Sequence, residues 1–284
     1  MTPARVPFGA RLAAAVDAHG PLCVGIDPHA ALLADWGLTD DAAGVRDFSL
    51  RVLEAVAGRV AAVKPQAAFF ERHGSAGVAV LEEVVAAGRE TGTLVVVDAK
   101  RGDIGSTMGA YAEAFLRDGS PLAGDALTVS PYLGFGSLDP AVDLARATGR
   151  GLFVLCLTSN PQGREVQHAR TADGTSVAAV VAARAAALNE GADPMGSVGL
   201  VVGATVGAAA REVGVDLGAV NGPLLAPGVG AQGAGPAELV DVFGAARRQV
   251  LASSSRGVLR SGPGVDGLRA AALSAAAEAA AALH

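Results

Sequence analysis

Short apolar runs punctuate this chain, each followed by a longer segment in which Ala, Leu and Val recur at helical spacing. The runs are Leu22–Asp27, Val60–Lys64, Leu94–Asp98, Asp125–Val129, Leu152–Leu157, Val198–Gly203, Asn221–Ala226 and Gln249–Ser253. They lack strict alternation, as expected of strands buried on both faces in a parallel sheet. Between them the spacing predicts helices near 41–57, 74–90, 105–117, 138–147, 175–190, 205–212, 236–245 and 264–282. An extra helix at 8–18 precedes the first strand. Eight such units in about 260 residues predict a (β/α)8 TIM barrel with an extra N-terminal helix, residues 1–284 forming a single domain. The alternative, a doubly wound open sheet, usually carries a Gly-rich fingerprint after its first strand. Val24-Gly25-Ile26-Asp27-Pro28 offers none. The longest loop, about 158–174, is polar and follows the fifth strand.

Barrels of this kind carry their active sites at the C-terminal ends of the strands. Those ends here hold Asp27, Lys64, Asp98 with Lys100, Ser159, Gly228–Gln232 and Arg256. The densest stretch is 94–107, Leu-Val-Val-Val-Asp-Ala-Lys-Arg-Gly-Asp-Ile-Gly-Ser-Thr. A side-chain period of two points Asp98 and Lys100 the same way. Opposite charges at the end of a buried strand are costly unless paired or used. Gly102 and Gly105 are expected to loosen the backbone around Asp103, letting that carboxylate turn toward or away from the pair. The outcome is a strand-tip ammonium held between carboxylates, a fixed proton donor. Lys64, ahead of Pro65, reads as a second cation that keeps the carboxylates ionised.

Other strand ends leave two readings open. Asp27, ahead of Pro28, suits a turn or a carboxylate that binds ribose hydroxyls. The Gly-rich segment 225–235 suits a plain surface loop or a mobile phosphate lid. In the second case Gln232 is a side-chain donor and Arg256 a bidentate cation. Ser159-Asn160 suits turn residues or a hydroxyl that bonds a planar base edge.

Composition narrows the partners. Lys and Arg number 22 against 28 Asp and Glu, a net charge of −6, so there is no general basic surface and no nucleic-acid partner is expected. Hydrophobic residues at 51% are ample for a core; the abundance of Ala and Gly carries little functional content. Cys23 and Cys156 lie in apolar runs and read as small buried hydrophobes rather than a disulfide framework. The five histidines show no metal-ligand spacing, so no metal is expected. The first twenty residues lack a signal-peptide apolar core, and no apolar stretch reaches the roughly 18 residues that span a bilayer. A cytoplasmic protein without a membrane partner is expected. The Ala-rich end, 267–283, reads as a surface helix.

The Asp-x-Lys-x-x-Asp pattern at 98–103, extended by Ile104 and Thr107, resembles the signature of the orotidine 5′-phosphate decarboxylase family. Further blocks agree, in order: 24–28, 63–71 (Val-Lys-Pro-Gln-Ala-Ala-Phe-Phe-Glu), 130–134 (Ser-Pro-Tyr-Leu-Gly), 157–161 (Leu-Thr-Ser-Asn-Pro) and 226–233 (Ala-Pro-Gly-Val-Gly-Ala-Gln-Gly). The chain is most similar to the longer bacterial, or type 2, subgroup. The resemblance implies conversion of orotidine monophosphate to uridine monophosphate and carbon dioxide without a cofactor. It implies Lys100 as proton donor to C6, Asp98 and Asp103 flanking the departing carboxylate, and Lys64 in the charge network. It further implies substrate contacts from Asp27, Ile104, Thr107, Ser159, Pro227, Gly228, Gln232 and Arg256, and a homodimer in which Asp103 reaches the partner's site. Two alternatives are a metal-dependent keto-sugar-phosphate decarboxylase or aldolase of the related barrel group, and a non-catalytic nucleotide-binding barrel.

Overall fold

A computed structural model describes residues 5–229 and 234–283. Eight parallel strands close into a barrel in sequence order. They are β1 (Leu22–Ile26), β2 (Ala62–Pro65), β3 (Leu94–Arg101), β4 (Ala126–Val129), β5 (Gly151–Leu157), β6 (Val198–Val202), β7 (Leu224–Pro227) and β8 (Val250–Ser254). The helices up to β5 are α1 (Phe8–His19), α2 (Ala30–Asp35), α3 (Ala42–Val56), α4 (Ala68–Glu71), α5 (Gly74–Glu90), α6 (Gly105–Leu116) and α7 (Asp139–Thr148). After β5 come α8 (Arg164–Gln167), α9 (Val177–Leu188), α10 (Ala209–Glu212), α11 (Pro236–Phe243), α12 (Arg256–Leu259) and α13 (Val265–Leu283). The (β/α)8 barrel and the extra N-terminal helix expected from the sequence are both present.

Strand side chains divide by parity. Val24, Val63, Val95, Leu127, Val154, Leu200, Leu224 and Ala252 belong to the apolar layer shared with the helices. Their neighbours Cys23, Ala62, Val96, Ala126, Phe153, Val201, Leu225 and Leu251 fill the barrel interior. Both sets are apolar because both faces are buried, which is why the sequence shows runs rather than alternation.

Helix α1 closes the bottom of the barrel. Phe8 and Leu12 are buried with the interior set, and the Phe8 ring meets Phe153 edge-on at 5.9 Å. Arg11 fixes the helix by an ion pair to Asp125 and a hydrogen bond to the Gly149 carbonyl. With this end stoppered, the C-terminal mouth is left for chemistry.

Some boundaries differ from the sequence reading. The seventh strand starts three residues late because Asn221 takes a left-handed conformation (φ +46) and Pro223 follows. The helix expected over 205–212 shrinks to α10, behind the left-handed Gly207. Helix α13 is amphipathic: Leu268, Ala272, Ala276 and Ala279 are buried while Leu273 is exposed. Both cysteines are free and buried, with thiols pushed up to about 12 chiefly by burial. No helix among the described residues is long and apolar enough to cross a membrane.

Candidate active site

The inward parity that fills the barrel floor continues upward into polar residues. Above Ala62 the next inward position on β2 is Lys64; above Val96 on β3 it is Asp98; above Ala126 on β4 it is Thr128. Leu155, Val201, Leu225 and Ser253 complete this ring, and all seven line a cavity of about 350 Å³ at the mouth. That volume lies within the usual small-molecule range of about 300–1,000 Å³.

Asp98 is the hub. It is 6% exposed, and so is Lys64. Lys64 Nζ lies 2.8 Å from Asp98 Oδ2, and Lys100 Nζ lies 2.6 Å from Asp98 Oδ1. The Thr128 hydroxyl donates to the same Oδ1 at 2.7 Å. Burial alone would raise the Asp98 carboxyl, but the ammonium charges of Lys64 and Lys100 outweigh it and hold the group well below the usual carboxylate range. Burial alone would likewise lower Lys64; the Asp98 and Asp27 carboxylates outweigh it and hold the ammonium above the usual lysine range. The hub is therefore a fixed array of charges at neutral pH.

Lys100 reaches Asp98 by a route that the period-two reading did not contain. The β3–β4 register shifts between Val97 and Arg101, and Lys100 takes a left-handed conformation with φ +46. Strand β3 thus runs past its expected end at Asp98, to Arg101. The Lys100 side chain is 42% exposed and borders the cavity, while its Asp98 partner is buried.

Gly102 also differs from expectation. A Cβ there would lie 2.5 Å from the Ser130 carbonyl oxygen, so this glycine permits close strand contact rather than looseness. Gly105 has φ +51 and opens α6. Asp103 stands on the rim, outside the residues that line the cavity, and its Oδ1 accepts the Ile104 N–H at 2.8 Å. Ile104 and Thr107 are exposed beside it.

Asp27, Ser159, Pro227, Gly228 and Arg256 line the same cavity as the charge hub. Asp27 Oδ1 and the neighbouring Ser255 Oγ are buried with no hydrogen-bond partner among the described residues. Gly228 has φ +95, a conformation that favours glycine at the turn after β7. Gln232 lies outside the described residues.

Ser159 lies in the segment expected to be a polar loop, about 158–174. Residues 161–167 form a 3-10 turn and α8. At the end of α8, Gln167 Oε1 accepts the Thr158 N–H at 2.9 Å and its Nε2 donates to the Thr158 hydroxyl at 2.7 Å. This clamp fixes the residue next to Ser159. Sequence reasoning also missed Gln66, whose Oε1 lies 3.5 Å from Lys64 Nζ, and Thr128. Thr128 is the only polar residue in Ala-Leu-Thr-Val. Extending the inward parity from Lys64 and Asp98 to the next strand would have found it.

A family model described as Orotidine 5'-phosphate decarboxylase / HUMPS family matches residues 20–271. A Streptomyces coelicolor protein named orotidine 5′-phosphate decarboxylase is 66% identical over 266 residues, 94% of each chain. A Salinispora arenicola protein of the same name is 62% identical over 265 residues, 93% of this chain and 94% of that one. Among solved structures, a Streptomyces avermitilis protein described as a candidate orotidine 5′-phosphate decarboxylase superposes with a TM-score of 0.95 at 64% identity, covering 99% of this chain and 97% of that one. The Leishmania donovani OMP decarboxylase gives 0.75 at 34% identity, covering 98% of both chains.

Proposed function

The chain belongs to the orotidine 5′-phosphate decarboxylase / HUMPS family, and we propose that it converts orotidine 5′-monophosphate to uridine 5′-monophosphate and carbon dioxide. The observation that carries this reading is the Lys64–Asp98–Lys100 array in the wall of a cavity that Arg256 also borders.

In the proposed reaction the bond between C6 and the substrate carboxylate breaks, carbon dioxide leaves, and the electron pair stays on C6. That pair occupies an in-plane orbital that the ring delocalises poorly, so the barrier is mostly electrostatic. An ammonium aimed at C6 stabilises charge as it develops, before the proton moves. Lys100 then gives its proton to C6 and regains one from water. Asp98, anchored on both oxygens, holds Lys100 in place and sets negative charge near the departing carboxylate.

Asp27 Oδ1, a buried acceptor without a partner among the described residues, supports a ribose-hydroxyl contact. Ser159 suits a bond to the pyrimidine edge; Arg256 and Gln232 suit the 5′-phosphate, with Pro227 and Gly228 shaping the turn beneath it. A second copy of the chain would cover the exposed Ile104, Tyr132 and Leu133 and bring Asp103 to the neighbouring site. The reading accords with a cytoplasmic enzyme of pyrimidine synthesis. The metal-dependent sugar-phosphate alternative gains nothing from Asp98, whose two oxygens already face ammonium groups.

The ultraviolet spectrum of orotidine monophosphate, followed with purified protein, tests the activity. Conversion to uridine monophosphate is expected, unaffected by EDTA; no conversion, or conversion abolished by the chelator, would contradict it. The same assay with orotidine, which lacks the phosphate, is expected to show kcat/KM lower by at least ~10²-fold. Charge-assisted hydrogen bonds contribute about 1.5–3 kcal/mol each, and two or more are lost. An unchanged kcat/KM would separate phosphate binding from turnover.

A further inference from the structure

We infer that Thr128 is a positioning residue: its hydroxyl sets the backbone of Lys100 and thereby aims the ammonium. The inference rests on the decarboxylase reading for its effect on rate, though not for its geometry. Val97 is level with Leu127, and Arg101 with Val129. Three residues of β3, Asp98, Ala99 and Lys100, therefore stand opposite the single residue Thr128. A regular ladder cannot serve such an excursion, and the side chain of Thr128 takes over part of its work.

Thr128 is 1% exposed. Its Oγ1 accepts the backbone N–H of Lys100 at 2.9 Å and donates its hydrogen to Asp98 Oδ1 at 2.7 Å. Lys100 Nζ reaches that same oxygen at 2.6 Å. A hydroxyl has one hydrogen and two lone pairs, so it fills both roles at once. The result is a closed circuit: Lys100 backbone to Thr128, Thr128 to Asp98, Asp98 to the Lys100 side chain. The backbone of Lys100 sits at φ +46, where a residue with a Cβ is rarely found. Such a conformation persists only when its surroundings over-determine it, and the Thr128 bond is one such restraint.

Valine has the shape of threonine but neither accepts the Lys100 N–H nor donates to Asp98. Releasing that N–H lets the Lys100 backbone relax toward extended geometry, which swings its Cα–Cβ bond and withdraws Nζ from its aim. A misplacement of about 1 Å costs about 10²-fold in rate. Substrate binding, which draws on Asp27, Ser159 and Arg256 elsewhere in the cavity, is left nearly as it was.

The test compares Thr128→Val, Thr128→Cys and Thr128→Ser with the wild type. Two readouts are taken: kcat and KM separately, and hydrogen exchange at the Lys100 amide, which needs no activity. We expect Thr128→Val to lower kcat by about 10²-fold with KM nearly constant, and to speed exchange at Lys100 by at least about tenfold. Serine keeps the hydroxyl and should preserve amide protection and most of kcat; cysteine, a weak hydrogen-bonding group of similar size, should fall between serine and valine. If valine fails to fold, the serine and cysteine pair decides. Wild-type kcat in Thr128→Val, or a loss in serine as large as in valine, would overturn the inference. If the wild type does not decarboxylate orotidine monophosphate, the activity reading fails alone. The exchange data then still decide the positioning claim, with unprotected Lys100 in the wild type or full protection in valine counting against it.

Discussion

Lys100→Ala is expected to lower kcat by about 10⁵-fold, because it removes two contributions at once. Proton donation by a positioned group is worth about 10²–10⁴-fold. A preorganised charge facing the developing carbanion is worth about a further 10²–10³-fold. Together they amount to roughly 7 kcal/mol of barrier. The fold should survive. The Lys100 side chain is 42% exposed, and Lys64 remains to balance Asp98. Alanine also carries a Cβ, so the left-handed backbone at this position is no more strained than before. Steady-state kinetics with circular dichroism checks both halves. Near-normal turnover by a folded variant would remove Lys100 from the chemistry.

Asp98→Asn is expected to damage stability as well as activity. The substitution leaves the buried Lys64 ammonium without its main counter-charge, and breaking a buried pair in this way costs about 3–5 kcal/mol. For a chain of this size that corresponds to a drop in melting temperature on the order of 10 °C. The pH dependence separates this cause from simple repacking. In the wild type, Asp98 is held below the usual carboxylate range. Its contribution is therefore full above pH of about 4 and is lost as the pH falls toward the depressed native value. Wild-type Lys64 is held above the usual lysine range. Its contribution is full below pH of about 10 and is lost as the pH rises through the raised native value. In the asparagine variant the acid-side loss from Asp98 disappears. Lys64, now buried without Asp98, prefers its neutral form in the folded state, so the variant should regain stability toward alkaline pH while the wild type does not. Thermal melts across pH check this; a deficit that stays constant from acid to alkali would mean the charge array contributes little.

Much of the architecture is legible along the chain because burial on both faces turns each parallel strand into an apolar run. The polar residues at the tops of those runs, Asp27, Lys64 and Asp98 among them, name part of the cavity wall. Shorter features resist such a reading. Helices α2, α4 and α12 span four to six residues each, too few for a 3.6-residue period to register. Lys100 meets Asp98 as the period of two predicts, but through a register shift and a left-handed backbone that depend on the neighbouring strand. Thr128 and Gln167 are invisible for the same reason: a threonine in an apolar strand and a glutamine in a polar loop acquire meaning only through partners thirty and nine residues away. Asp103 is legible from its spacing to Asp98 and Lys100, yet it lies outside the residues that line the cavity, and Ile104 and Thr107 stand out only through family resemblance.

A crystal structure of the enzyme with uridine monophosphate bound tests the central claim most directly. Lys100 Nζ is expected about 3–3.5 Å from C6, close to the plane of the pyrimidine, with Asp98 still bridging the two lysines. A pyrimidine seated with C6 turned away from Lys100, or the ammonium swung out to bulk solvent, would contradict the account.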